Sequence, residues 1–162
     1  MAGMKKRTGF SPWKPHYKLE KYSKGVGPDV APDEVIEWDG NMMMNAGINA
    51  MLLLLVGTGG TDFDQNNGYL GVGNSSTPAA NTQTDLIGTS TARVQITALA
   101  TIALETLTFV ASFGAAAGNF TWEEVGIFNG PSGGTMLTRS VSALGTKAAG
   151  ATWVLTITLT IS

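Results

Sequence analysis

The side chains that most often do chemistry are few in this sequence and poorly spaced for it. One histidine, His16, stands between Pro15 and Tyr17. A general base needs a nucleophile on one side and an orienting carboxylate on the other, and no such set can be assembled around His16. Glu123 and Glu124 form the one adjacent carboxylate pair after residue 39. On a strand, neighbouring side chains point to opposite faces, so these two do not make an acid/base dyad. Their expected place is the surface, or an ion pair with Arg139 or Arg93. Gly57-Thr58-Gly59-Gly60 lacks the lysine of a phosphate loop and follows a helix instead of opening one. Gly71-Val72-Gly73 lacks the third glycine of a dinucleotide fingerprint. Asp62, Asp64, Asn66 and Asn67 invite a calcium reading, but the position of the closing bidentate glutamate is Gly73. An Asx-turn loop is the better reading of that segment. There is no cysteine, which excludes disulfides and thiolate metal sites. The expectation is therefore no catalytic residues, no metal, no cofactor and no enzyme: the chain should work by binding.

Charge is unevenly placed. Seven of the ten basic residues, Lys5, Lys6, Arg7, Lys14, Lys18, Lys21 and Lys24, fall in the first 24 positions, opposed only by Glu20. The rest of the chain has three basic and eleven acidic residues, so a net charge of -2 divides into a +6 segment and a -8 body. The front also carries Phe10, Trp13, Tyr17 and Tyr22 among prolines. Closely spaced prolines exclude a helix and disfavour a central strand. Residues 1–38 accordingly read as an extended docking arm that orders on a partner, and residues 39–162 as the folded domain. The arm's binding residues would be Lys5, Lys6, Arg7, Phe10, Trp13, Lys14, Tyr17, Lys18, Lys21 and Tyr22, with aromatics as anchors and cations for steering. An acidic protein surface suits this arm better than nucleic acid, because its charge is spread thinly.

The body must position whatever binds. Asp39-Gly40-Asn41 opens a helix predicted over residues 41–56, closed by Gly57. Apolar residues surround it on every side, so it should be buried, either in the core or between subunits, with Met42, Met43, Met44, Ile48 and Met51 as its packing residues. The apolar run from Met42 to Val56, 15 positions interrupted by Asn45, Gly47 and Asn49, is shorter than the ~20 a bilayer span needs, so no membrane is expected. A secretory leader is not expected either, because no apolar core follows the basic start. Beyond the helix the period changes to two. Strands are predicted over residues 69–73, 93–98, 104–113, 120–128, 135–144 and 153–162, separated by Gly, Pro and Asn turns. Phe120, Trp122 and Phe128 should share one face of their strand, with Val125 and Ile127 on the other. In the last strand Trp153, Leu155, Ile157, Leu159 and Ile161 face one way, which requires a central place in a sheet. The fold class is mainly β: an antiparallel, jelly-roll-like β-sandwich with one buried helix. Charged residues make up only 14% of the chain, so part of the surface should face other subunits. A symmetric homo-oligomer is expected, with a trimer as the working assumption.

Several blocks occur in order: Asn45-Ala-Gly-Ile-Asn49 before an apolar helix; Tyr69-Leu-Gly-Val-Gly73 before a Ser/Thr-Pro-Ala loop; Phe120-Thr-Trp-Glu-Glu-Val-Gly-Ile-Phe-Asn129; Gly134-Thr-Met-Leu-Thr-Arg139; and Leu144-Gly-Thr-Lys147 leading to the terminal strand. Across residues 41–162 this series resembles small structural proteins of tailed bacteriophages. The resemblance implies a virion component without catalytic residues, assembled in the host cytoplasm. The leading expectation is a capsid decoration (cement) protein that binds the major capsid protein and is tied to the shell by the arm. A tail, collar or fibre-attachment component is the alternative. A receptor- or carbohydrate-binding module, using Trp122, Trp153 or the loop at 62–67, is the alternative of another class.

Overall fold

The computed structural model describes residues 13–40, 42–97 and 101–161. Among them the elements run β1 (Trp13–Tyr22), β2 (Glu34–Asp39), β3 (Met42–Met43), α1 (Asn45–Leu55), β4 (Tyr69–Gly73), β5 (Thr91–Gln95), β6 (Thr101–Ala103), β7 (Thr106–Phe113), β8 (Thr121–Phe128), β9 (Met136–Thr146) and β10 (Thr152–Ile161). They form two antiparallel sheets. Sheet A has the order β2-β1-β10-β7-β6 and sheet B the order β3-β9-β8-β4-β5. The chain is a β-sandwich, as its alternation predicts.

Strand β10 organises sheet A. Its Trp153, Leu155, Ile157 and Leu159 are buried, while Thr156, Thr158 and Thr160 look outward. It lies between β1 and β7, so both its edges are paired, as such an apolar strand requires. Across the sandwich these residues meet Leu70 and Val72 of β4, Val125 and Ile127 of β8 and Leu137 of β9. Trp122 packs edge-on against both Phe113 and Trp153, with ring centroids 4.8 Å apart in each case. A register shift between Trp122 and Glu124 turns Trp122 inward beside Val125 and Ile127, and leaves Phe128 on the outer face. The expected grouping of Phe120, Trp122 and Phe128 therefore fails: between Trp122 and Glu124 two steps along β8 oppose four along β9, and this irregularity reverses the parity of β8 on either side of it.

The docking-arm assignment for residues 13–38 is overturned. Strand β1 pairs with β10 along its whole length, from Trp13–Ile161 to Tyr22–Thr152, and β2 pairs with β1 on the other side. Tyr17 and Leu19 are fully buried, and Tyr17 stacks on Trp38 at 4.8 Å. Tyr22 is also buried, and the Lys21 ammonium lies 4.7 Å from the centre of the Trp153 ring and 2.8 Å from Glu34. Tyr17, Lys21 and Tyr22 are thus spent within the fold. Lys5, Lys6, Arg7 and Phe10 lie outside the described residues. Pro15 is tolerated because its backbone faces β2 just past the end of that pairing, where its carbonyl accepts from Gly40 N at 3.3 Å. The acceptor that the missing N–H would have met, Gly40 O, takes a bond from the Ser140 hydroxyl at 3.0 Å instead. The charge split has a local explanation too. Basic β1 lies against acidic β2, with His16 opposite Asp39, Lys18 opposite Glu37 and Lys21 opposite Glu34. Opposite charges across a strand pair favour this register.

The helix also departs from expectation. Met42 and Met43 pair with Arg139 and Thr138 as β3, so α1 begins at Asn45, not at 41. Its end is as predicted: Gly57 has φ +67, its N–H donates to Leu54 O at 3.1 Å, and Thr58 N donates to Leu53 O at 3.1 Å. Those two bonds make a Schellman motif. Within the single chain the helix is covered on one side only, so burial wholly inside the core is not what the fold provides. Gly47 is the one buried residue of α1; Met44, before it, is buried and Met43 and Met51 pack on the core, but Ile48 and Met42 are exposed. Gly47 lets the helix lie directly on β9: a Cβ there would sit 2.6 Å from Leu137 Cα and 2.8 Å from Met136 O. Backbone cannot yield as a side-chain tip can. Gly47→Ala should therefore destabilise by about 2–3 kcal/mol, although alanine is the better helix former by about 1 kcal/mol. Chemical denaturation checks this, and an unchanged midpoint would contradict the docking of α1 on β9.

Candidate functional site

The chemistry-bearing side chains collect on the outer face of sheet B. Gly71, Gly73 and Gly126 form a floor there. The Phe128 ring crosses Gly71 and Gly126, where added Cβ atoms would meet it at 2.6 and 3.1 Å. The Glu124 side chain lies over Gly73. On this floor Glu124 and Arg139, both 0% exposed, form an ion pair at 2.7 Å. Glu124 also accepts from Gly88 N at 2.7 Å and Ile87 N at 3.3 Å, while Arg139 donates to Gln83 Oε1 and Thr77 O, each at 3.0 Å. The pair thus grips the 74–90 loop at both its ends. The expected ion pair of Glu124 with Arg139 is present, but it is buried, not superficial.

Neighbouring loops are held in the same way. Arg93 stacks over Phe128 at 3.6 Å, bonds Gly130 O and Gly133 O, and pairs with Asp85 at 2.7 Å. Asn45 N donates to Asn81 O at 2.9 Å, joining the start of α1 to the 74–90 loop. The 62–67 segment is the expected Asx-turn loop. Asp64 accepts from the backbone and side-chain nitrogens of both Asn66 and Asn67 at 2.9–3.1 Å. Desolvation pushes its pKa up, but these four bonds outweigh it and hold the carboxyl below the usual range. Its oxygens are already engaged by protein donors.

Lys147 is a buried cation with no carboxylate partner among the described residues. Its ammonium donates to Gly114 O and Asn119 Oδ1, each at 2.8 Å, and fastens the 114–119 turn. Burial lowers its pKa. A lysine pKa depressed by folding means the unfolded chain binds more protons, so this group makes stability rise as pH climbs from the folded pKa towards 10.5. Lys147→Met should remove that alkaline contribution. It should also destabilise by about 1–3 kcal/mol at neutral pH through the two orphaned acceptors. Urea unfolding of both proteins between pH 7 and pH 10 measures each effect; parallel curves would contradict the pH assignment.

The outer face of sheet A is different: among the described residues its charged and threonine side chains are partly or fully exposed, while Tyr22 and Val154 at one end are buried. Lys14, His16, Lys18 and Glu20 of β1 lie beside Thr160, Thr158, Thr156 and Val154 of β10, and these beside Thr106, Thr108, Val110 and Ser112 of β7. Paired threonine hydroxyls stand 3.4 Å (Thr106–Thr160) and 3.3 Å (Thr108–Thr158) apart. His16 Nδ1 is 2.8 Å from Asp39 Oδ1, beside a cleft of about 500 Å³ lined by Trp13, Lys14, Asp39 and Thr160 among others. Lys18 bonds Glu20 at 2.8 Å, and that bond, against some desolvation, raises its pKa. Of the sequence-predicted binding residues, Lys14 and Lys18 therefore point to solvent on one open face, with Trp13 at the edge of the cleft.

Trp122 and Trp153 are not available as sugar-stacking platforms: both are core, and Trp122 Nε1 donates to Gly118 O at 2.7 Å. Sequence reasoning missed the glycine floor and the buried Lys147. The available signal was two opposite charges, Glu124 and Arg139, each directly followed or preceded by residues of a strand with buried apolar side chains. Among the described residues no group of three metal-ligating side chains converges, and no helix is long and apolar enough to cross a membrane. No family model matches the chain, and no curated protein or solved structure is significantly similar to it.

Proposed function

We propose that the chain is a non-enzymatic structural protein of a tailed-phage virion, acting as a capsid decoration protein that binds the major capsid protein. The supporting observation is the convergence of the resembling blocks. Gly47 of the first seats on Leu137 of the fourth. Gly71 and Gly73 of the second underlie Phe128 and Glu124 of the third. Glu124 pairs with Arg139 of the fourth, and Arg139 holds the loop that follows the second. Residues scattered over about a hundred positions thus serve one packed face, so the blocks that carry the resemblance act together in this fold. The open face of sheet A supports the binding role. Its threonines give a flat, weakly charged surface, and Lys14 and Lys18 supply cations for a capsid carboxylate. Lys5, Lys6, Arg7 and Phe10 would extend that contact.

Shells lacking the chain, mixed with the purified protein, test the reading. Saturable binding is expected at a copy number on the order of that of the capsid subunits, and a double substitution, Lys14→Glu with Lys18→Glu, should weaken it at least tenfold. Failure to bind shells, or a handful of copies at one vertex or on the tail, would overturn it in favour of a tail or collar component.

A further inference from the structure

We infer that copies of this chain associate in pairs through α1, ridge against ridge about a two-fold axis. This inference stands independently of the virion reading. From Gly40 to Thr61 the sequence has no charged residue. One side of α1 is docked on β9 through Gly47. The other presents Ile48 (39% exposed), Leu52 (54%) and Leu55 (81%) at i, i+4 and i+7, flanked by Leu53 (38%) and Val56 (67%). These spacings put the three on one face of the helix. Together they expose roughly 400 Å² of apolar surface, a continuous patch of the size that marks interaction sites.

The choice of occupant rests on charge and area. A ridge without charge selects no oppositely charged partner, and it is complementary to itself. A row spaced i, i+4 packs into the groove beside the same row of a second helix. A two-fold interface requires that same patch on both partners. A standard interface takes about 800 Å² from each partner, some 60% of it apolar, or roughly 480 Å². The ridge supplies most of that from one helix. A second exposed leucine, Leu104, at 96% exposure on the β6–β7 turn, lines a small cleft with Trp13, Leu107 and the exposed Ile161 at the edge of the other sheet. It lies on a different element from the ridge and serves as an internal control.

The test is the mass of the full-length protein by sedimentation equilibrium or light scattering. The expected result is twice the monomer mass of 16.9 kDa. Leu52→Glu with Leu55→Glu should return the monomer mass with an unchanged far-UV spectrum, whereas Leu104→Glu should leave the pair intact. Because the chain has no cysteine, Leu52→Cys alone should yield a disulfide-linked dimer under mild oxidation, and Leu104→Cys should not. A wild-type monomer at about 100 µM would overturn the inference, since even weak interfaces of standard size reach micromolar affinity. So would an oligomer whose mass survives both substitutions, or one of any other copy number. If the monomer binds shells and the double variant does not, α1 faces the capsid, and the pairing is refuted while the decoration reading stands.

Discussion

Deleting residues 1–38 should abolish folding. Such a deletion removes β1 and β2 and leaves β10 paired on one side only. The fully buried Tyr17 and Leu19 go with them, as do Ile36 and Trp38, which pack on the same core. At about 1.5–3 kcal/mol for each large apolar side chain, the loss is of the order of 10 kcal/mol, comparable to the entire stability of a small domain. The newly bared edge of β10, carrying Trp153, Leu155, Ile157 and Leu159 on one face, would then template aggregation. Insoluble or molten protein is the expected outcome. By contrast, deleting residues 1–12 removes none of the described strands and serves as the matching control. Circular dichroism and solubility distinguish the cases. A cooperative thermal transition in the 39–162 fragment would refute the assignment of β1 to the core.

Breaking the buried ion pair on one side should be nearly as damaging. Arg139→Met leaves the Glu124 carboxylate at 0% exposure with two backbone donors and no cation. An uncompensated buried charge costs about 3–5 kcal/mol. The same substitution frees Gln83 and Thr77, so the 74–90 loop should become the first site of proteolytic nicking. Adding Glu124→Gln to Arg139→Met should recover at least about 1 kcal/mol, because no charge is then left in the interior while an amide oxygen still accepts from Gly88 N. Denaturant unfolding of the wild type, both single variants and the double variant completes the cycle. Additive losses would show that the two side chains do not act as a pair.

These two results bear on function because they separate what builds the fold from what is left over to bind. Tyr17, Lys21, Tyr22, Glu124, Arg139 and Lys147 are all occupied internally. Lys14 and the ridge of α1 are not needed to hold either sheet together, whereas Lys18, opposite Glu37 and bonded to Glu20, and the threonine pairs across β7 and β10 also support sheet A. Substitutions at Lys14 and on the ridge can therefore change binding with little effect on stability.

What the sequence determined by itself was local. The alternation of β10 placed its large side chains on one face and demanded a central position, and both hold. Gly57 ended the helix where it stands, and the Asp64 loop closed as an Asx-turn, because each depends on a few adjacent residues. The same logic was present in β1, where Tyr17 and Leu19 alternate with His16, Lys18 and Glu20, but the concentration of charge and proline there hid it. Only the tertiary structure decided the rest. Whether a strand with a basic outer face belongs to a sheet depends on an acidic neighbour, β2, whose pairing is not written in β1. Which way Trp122 points depends on the irregularity in the pairing of β8 with β9. Gly71, Gly73 and Gly126 acquire meaning only from the side chains that cross them. The fate of α1 likewise rests on what lies opposite: β9 covers the side that carries Gly47, while Ile48, Leu52 and Leu55 on the other side stay exposed among the described residues.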